Sequence, residues 1–514
     1  MPLSTAGAYA LVMTLAADRP VVLPDSVETF DSLDPGTGQV LASHPVHSDE
    51  QVAAAVARAR EAAQWWQGQG TAGRRTHLKA WKGVLARRIH ELADLVHKEN
   101  GKPHPDALLE ITLAIDHIEW SSKHAAKLLG LRRVPAGLMA ANQQALLEYQ
   151  PLGVIGVIGP WNYPVFTPMG SIAYALAAGN AVVFKPSEYT PAIGLWLEHA
   201  WQMAVPERPD VLQVVTGLGA TGAALCRAGV DKIAFTGSAA TGRKVMAACS
   251  ENLVPVLMEC GGKDAMIVDD DADVAAAADA ALWGGMSNAG QTCIGIERVY
   301  ATDKVYDAFV RELTTRAGAI RPGSDAGASY GPITMPSQVD VITRHIADAV
   351  ARGGRVLTGG TAQGGLVQPT VLVDVPEDST AVTEETFGPT ITVARVRDVD
   401  EAIAKTNATS YGLAGAVFTG KSKAGVEIAR RMRSGMTSVN SVIAFASVPG
   451  LPFGGVGDSG FGRIHGEDGL KEFTRAKAIT RQKFDLPVQL LSFSRSPKVT
   501  DTLAKVIGLV HGRG

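Results

Sequence analysis

Cysteine is scarce: four in 514 residues, Cys226, Cys249, Cys260 and Cys293, at spacings that suit neither a disulfide framework nor a metal site. All four are expected as free thiols in a reducing, cytoplasmic setting. Long apolar runs are missing as well, since no stretch approaches the ~18 unbroken apolar residues that a membrane-spanning helix needs. Ala6 to Ala17 is mildly apolar but has neither a basic leader nor a cleavage site, so residues 1–29 are read as a loose N-terminal tail rather than a secretion signal. Charge of one sign is not in excess, with a formal net charge of -3 and no like-charge block. That balance argues against a nucleic-acid partner and leaves small molecules as the expected ones. Asp269-Asp270-Asp271 with Asp273 lacks the glycine and terminal glutamate of a calcium loop, so it is read as a helix N-terminal cluster and no metal is expected. Internal repeats are absent too.

What is present is a large apolar fraction, 46% of the chain, enough to bury the cores of two or three domains. Ser48 followed by Gln51 has the form of a capping box, and Val52, Val56, Ala59, Ala63 and Trp66 then keep one helical face apolar. A second helix is predicted through Leu78, Trp81, Leu85, Ile89, Leu92 and Val96, ending at Gly101, and a third from Asp106 to Leu129. From Gly153 the rhythm changes. Short apolar runs at 154–158, 181–184, 211–215, 232–235 and 255–258, with helical patterns between them, predict crossover units of a parallel sheet. A second alternating block starts near Ala265 and includes a helix ending at Cys293, a strand near Arg298 to Ala301 and a helix from Val305 to Ala317. Ligands of parallel sheets gather at the carboxyl ends of the strands. Here those ends read Gly159-Pro160-Trp161-Asn162, Lys185-Pro186-Ser187-Glu188, Thr216-Gly217-Leu218-Gly219 and Thr236-Gly237-Ser238.

The chemistry centres on Gly290-Gln291-Thr292-Cys293, where glycine allows close backbone approach to a thiol in a small-residue run. An isolated cysteine among apolar residues is more often a core residue than a nucleophile. Other stretches change that balance. Gly217-Leu218-Gly219-Ala220-Thr221-Gly222 has the spacing of a dinucleotide loop, without the acidic residue expected about 20 positions on. Gly237-Ser238, opening the next helix, offers amides to a pyrophosphate equally well. The glycine-rich run Leu451 to Gly462, with Phe453 and Phe461 set in it, is read as an ordered loop closing over a site.

Seven motifs, in order, make the chain resemble the NAD(P)-dependent aldehyde dehydrogenase superfamily from about residue 30 to 480: Pro160-Trp161-Asn162-Tyr163-Pro164, Lys185-Pro186-Ser187-Glu188, Phe235-Thr236-Gly237-Ser238, Met258-Glu259-Cys260-Gly261-Gly262-Lys263, Gly290-Gln291-Thr292-Cys293, Glu385-Thr386-Phe387-Gly388-Pro389, and Phe453-Gly454-Gly455 with Ser459-Gly460. The resemblance implies an α/β fold with two parallel-sheet domains, a Rossmann-like cofactor domain and a catalytic domain, and a small β oligomerisation arm. The cofactor domain would take residues 30–130 and 149–258, the catalytic domain 259–442, and the arm 131–148 and 475–486. Residues 443–474 would form the glycine-rich loop returning to the cofactor domain, and 487–514 a C-terminal tail.

It further implies that Cys293 attacks the aldehyde carbon, that the Asn162 amide and the Cys293 N–H hold the oxyanion, and that Glu259 activates the water that hydrolyses the thioester. Implied cofactor residues are Trp161, Lys185, Ser187, Glu188, Gly219, Gly237, Ser238, Glu385 and Phe387. Glu188 would accept from both ribose hydroxyls and repel a 2'-phosphate, which favours NAD over NADP. A homodimer or homotetramer is implied. The aldehyde stays open; succinate semialdehyde is one candidate, and no arginine for a substrate carboxylate stands out. Alternatives are a coenzyme A-acylating dehydrogenase, against which Glu259 argues, a cysteine hydrolase built on Cys293, Glu259 and Lys185, for which nucleotide loops have no use, and an inactive scaffold. The weakly amphipathic basic stretch Leu503 to Val510 would pack on its own protein or touch a membrane surface.

Overall fold

The computed structural model describes residues 28–137, 140–485 and 492–512. Of the expected N-terminal tail, residues 1–27 lie outside the described residues, and Thr29 already stands in the first strand. Two compact units are formed, one by residues up to 128 with 151–474, the other by 129–150 with residues from 475 on.

The first unit opens with a hairpin of β1 (Thr29–Leu33) and β2 (Val40–Pro45). Helix α1 (Asp49–Gly68) starts in a complete capping box, Ser48 accepting from the Gln51 N–H and Gln51 accepting from the Ser48 N–H. The second predicted helix is two helices, α2 (Gly70–Arg87) and α3 (Ile89–Asn100). Arg88 breaks the run at φ -111°, ψ 25°, while its guanidinium pairs with Glu91 and lies over the Trp196 ring. Gly101 then closes α3 at φ 84°, a left-handed cap that glycine takes without penalty. α4 (His104–Leu129) follows.

In the second unit, β3 (Arg132–Val134) pairs antiparallel with β4 (Gln143–Pro151). The expected crossover region of the first unit then runs as β5 (Val154–Ile158), α5 (Phe166–Ala178), β6 (Ala181–Lys185), α6 (Pro191–Ala204), β7 (Leu212–Val214), α7 (Gly219–Arg227), β8 (Lys232–Gly237), α8 (Ala239–Ser250) and β9 (Val256–Cys260). Parallel register aligns Ile158 with both Lys185 and Phe235, so the polar strand ends meet along one edge of this sheet. Strand order β9-β8-β5-β6-β7 reverses direction at β5, and the crevice at such a reversal is where open parallel sheets take ligands.

A seven-stranded sheet is built from β10 (Asp264–Val268), β11 (Ile296–Thr302), β12 (Arg355–Thr358), β15 (Thr370–Val373), β16 (Thr390–Val396), β17 (Gly415–Phe418) and β18 (Ser438–Val439), with a small hairpin β13 (Ala362–Gln363) and β14 (Leu366–Val367) between β12 and β15. Its strands are parallel except for β12, on the edge. The near-continuous apolar runs of β5, β6 and β10 follow from burial on both faces. The acidic cluster before α9 (Val274–Met286) is structural: Asp273 caps the helix, and Asp271 accepts from Thr419 and the Gly420 N–H. Short β19 (Gly460–Phe461) returns the glycine-rich loop to pair antiparallel with β9.

β20 (Thr474–Gln482) completes a three-stranded sheet with β4 and β3. The C-terminal segment forms a helix, Pro497–His511, with no buried side chain. Among the described residues no helix is long and apolar enough to cross a membrane.

Candidate active site

Helix α9 does not run on to Cys293, as the apolar pattern predicts; it stops at Met286 and a tight turn follows over Ser287–Gly290. Asn288 and Ala289 sit at φ 53° and 57° there, and Gly290 is pressed so closely on Gly388 that a Cβ would overlap its carbonyl oxygen. Left-handed backbone at two non-glycine residues needs outside support. Asn288 supplies it by donating from its side chain to the Asn162 carbonyl at 2.9 Å. Cys293 is thereby lifted off the helix and placed against the cavity, partly exposed.

Cys293 and Glu259 line the same cavity, Glu259 arriving on β9 and Cys293 on the turn after α9. Desolvation by the surrounding protein, with the charges of Glu385, Asp264 and Glu259, raises the thiol far above its ordinary range. Glu259 is 2% exposed and neither carboxyl oxygen has a hydrogen-bond partner in the structure. Burial lifts its pKa well above the usual carboxylate value, with Arg463 opposing and Glu472 adding to the shift. Gly454 stands beside it because any side chain would meet Oε1 at 2.6 Å. The Asn162 side chain donates to the Gln291 carbonyl at 2.9 Å, two residues before Cys293, which leaves its second N–H free for another acceptor.

The supporting groups were not legible as motifs. Lys102 and Glu110 form a buried pair at 2.5 Å; Lys102 also donates to the Asn162 carbonyl, and Glu110 accepts from the Val165 and Phe166 amides. A second buried pair, Lys263 with Glu297, clamps the segment before β16: Glu297 accepts from the Thr386 and Phe387 amides. Charged side chains are almost never fully buried unless paired, and that is the only sequence signal they carry.

The remaining predicted residues fall on five segments, four at the ends of β5, β6, β7 and β8 and one before β16. Glu385 accepts from the Gly262 N–H at 3.0 Å, and burial pushes its pKa up to about 8. Phe387, at φ 50°, meets Trp161 edge to face with ring centres 5.5 Å apart. At the end of β6 the Lys185 ammonium lies 3.8 Å from Glu188, whose side chain is 40% exposed, and Ser187 donates to the same carboxylate. Gly219 begins α7 with open space where a Cβ would stand, and Gly237 precedes Ser238, whose hydroxyl caps α8 by accepting from Thr241. Open glycine at one helix start, a capped helix start beside it, and an aromatic pair next to a buried carboxyl suit the phosphates, ribose and ring of a dinucleotide. Among the described residues no group of three or more His, Cys, Asp or Glu side chains is placed to hold a metal ion.

The cavity walls are mostly apolar, including Leu109, Leu113, Phe166, Trp283, Ile443 and Phe453. Lys102 is the one lysine or arginine among the lining residues, and Glu110 neutralises it.

Residues 22–479 match the profile of the aldehyde dehydrogenase family, and the chain belongs to that family. It is accordingly an oxidoreductase acting on aldehydes. Similar proteins include "Putative succinate-semialdehyde dehydrogenase [NADP(+)] 2" of Mycobacterium ulcerans, 34% identical with 95% of this chain and 94% of that one covered. "4,4'-diapolycopene aldehyde oxidase" of a Methylomonas species is 33% identical over 94% and 92%. Among solved structures, an NADP-dependent enzyme of E. coli superposes with TM-score 0.85 at 33% identity, covering 88% of this chain and 95% of that one.

Proposed function

We propose that the protein oxidises an uncharged, largely apolar aldehyde to its carboxylic acid through a covalent thioester on Cys293, accepting NADP as well as NAD. The observation that carries this reading is the shared cavity: a cysteine and an unpartnered buried glutamate face one space whose single lysine is already neutralised. A substrate carboxylate placed there would lose its hydration without gaining a cation, a cost of several kcal/mol.

In this reading the Cys293 thiol releases its proton to solvent, the sulfur bonds to the carbonyl carbon, and the C=O π pair moves onto oxygen. The oxyanion so formed takes hydrogen bonds from the free Asn162 N–H and the Cys293 backbone N–H, a contribution of about 100- to 1000-fold per donor. A nicotinamide dinucleotide, which Trp161, Lys185, Glu188, Glu385 and Phe387 would hold, would supply the hydride acceptor. Once hydride has left the carbon, Glu259 in its ionised form takes a proton from water, the hydroxide adds to the thioester, and the acid departs as sulfur regains its proton. The Lys102–Glu110 and Lys263–Glu297 pairs act as positioning groups, holding the Asn162 backbone and the Glu385-Thr386-Phe387 segment.

Glu188 favours NAD, whereas the names of the M. ulcerans and E. coli proteins point to NADP. The Lys185 ammonium and the exposure of Glu188 reconcile the two, since the carboxylate is balanced and can turn toward solvent. Subunit association through β20, exposed along all but its first residue, belongs to the same reading.

The test is cofactor reduction by the purified protein with uncharged aliphatic and aromatic aldehydes, and with succinate semialdehyde, each with NAD and NADP and with or without coenzyme A. Uncharged aldehydes are expected to exceed succinate semialdehyde at least tenfold in kcat/KM, without a requirement for coenzyme A. The reverse order would overturn the substrate class. Glu188→Ser is expected to shift the NADP-to-NAD ratio upward, and an unchanged ratio removes Glu188 from cofactor selection.

A further inference from the structure

One side chain of the cavity has no part in the chemistry above. His465 lines the same space as Cys293 and Glu259, is 1% exposed, and has no hydrogen-bond partner on either ring nitrogen. Buried polar groups are nearly always paired, so an imidazole with both nitrogens unpaired calls for a partner from outside the chain.

Its surroundings show that the ring has a built seat. His465 stands at φ 62°, ψ 165°, a backbone region occupied almost only by glycine and kept by other residues where the surroundings impose it, as they do at ligand sites. On helix α5, Gly170 makes room for it: a Cβ there would lie 2.6 Å from His465 Nε2. His117 lies against it with ring centres 3.9 Å apart and the planes tilted by 43°, and Phe166 and Phe453 flank it at 5.7 and 5.3 Å. His117 is itself satisfied, through the Tyr174 hydroxyl at 3.1 Å and the Ala446 carbonyl at 3.4 Å. The unpaired polarity in this aromatic corner therefore belongs to His465 alone.

We propose that His465 is the polar recognition point of the substrate cavity, and that the aldehyde carries a hydroxyl group on its otherwise apolar body which hydrogen-bonds this ring. The proposal rests on the reading of the cavity as an aldehyde site. Burial and the neighbouring His117 hold His465 neutral, its pKa well below the ordinary value. A neutral imidazole offers one donor and one acceptor, and a hydroxyl answers either. A charged tail is disfavoured by the same apolar walls that exclude succinate semialdehyde.

The experiment is a set of matched pairs, each an unsubstituted aliphatic or aromatic aldehyde beside its hydroxylated counterpart, with the hydroxyl at increasing distance from the aldehyde carbon. The ratio of kcat/KM within each pair is the readout. In the unmodified protein at least one pair is expected to favour the hydroxylated member by about tenfold, the scale of one buried hydrogen bond. His465→Leu is expected to bring that ratio close to one, and His465→Gln, which keeps a donor and an acceptor, to retain part of it. Should the leucine variant not fold, Gly170→Ala crowds the same ring and is expected to reduce the same ratio. Oxidation of the unsubstituted aldehydes with no pair favouring the hydroxyl, or a preference unchanged in the variants, overturns this proposal alone. Silence with every aldehyde overturns the aldehyde reading beneath it.

Discussion

Cys293, partly exposed, and Glu259, buried, both sit where their charged forms are disfavoured, and their chemistry has to be read from that starting point. Cys293→Ala is expected to abolish aldehyde oxidation while leaving dinucleotide affinity within about threefold, as measured by calorimetric titration; loss of binding would show that the thiol shapes the cofactor site instead. Glu259→Gln is expected to give one turnover of cofactor reduction and then stall, visible as a stoichiometric burst in stopped flow. The pH dependence follows from the sign of the shift. Because burial raises the Glu259 pKa, the carboxylate that activates water appears only above the usual glutamate range, so the hydrolysis-limited rate should rise with pH and inflect well above about 4.5. An inflection at the ordinary value would mean that a solvated carboxylate is the base.

The elements that carry the site are short of their own stability and are held by buried pairs. The turn after α9 has left-handed residues at Asn288 and Ala289, and the segment after Glu385 has Phe387 at φ 50°. Neither conformation is favourable for a residue with a side chain. Each is tied to a buried cation: Lys102 through Asn162 and Asn288, Lys263 through Glu297. Removing one member of such a pair strands the other, which costs about 3–5 kcal/mol, so Glu297→Gln should lower the melting temperature by several degrees. It should also raise the apparent KM for the dinucleotide, since the Thr386 and Phe387 amides lose their acceptor. A variant that melts earlier with cofactor KM unchanged would mean that the pair stabilises the fold without positioning the loop.

At the scale of the molecule, both large sheets belong to the compact unit of residues up to 128 with 151–474. β9, in the six-stranded sheet, delivers Glu259, and β10 of the other sheet begins four residues after that strand ends. The two sheets are therefore expected to melt together, and a dinucleotide at 100 times its Kd should raise that transition by the equivalent of about 2.7 kcal/mol. Scanning calorimetry checks this. Two resolved transitions for this unit, of which only one moves with ligand, would show that the sheets unfold separately.

Much of this architecture was legible in the sequence because it depends on local patterns. The runs at 154–158 and 181–184 became strands because both faces of a parallel sheet demand apolar residues, and Ser48 with Gln51 capped α1 because that pairing needs only neighbours three residues apart. The order of motifs likewise identified the family. The break at Arg88 escaped the apolar pattern, which continues unbroken across it, because the ion pair to Glu91 and the Trp196 ring decide it. The early stop of α9 escaped for the same reason, being imposed by Asn162 and Gly388, distant in sequence. Pairing of Lys102 with Glu110 and of Lys263 with Glu297, and the empty hydrogen-bonding capacity of His465, have no periodicity at all. The sequence by itself determined which residues can form strands, caps and a thiol-bearing glycine turn, since each follows from a side chain and its near neighbours; only the tertiary structure decided which charges are cancelled and which polar groups are left to meet a substrate, because burial is a property of the packed whole.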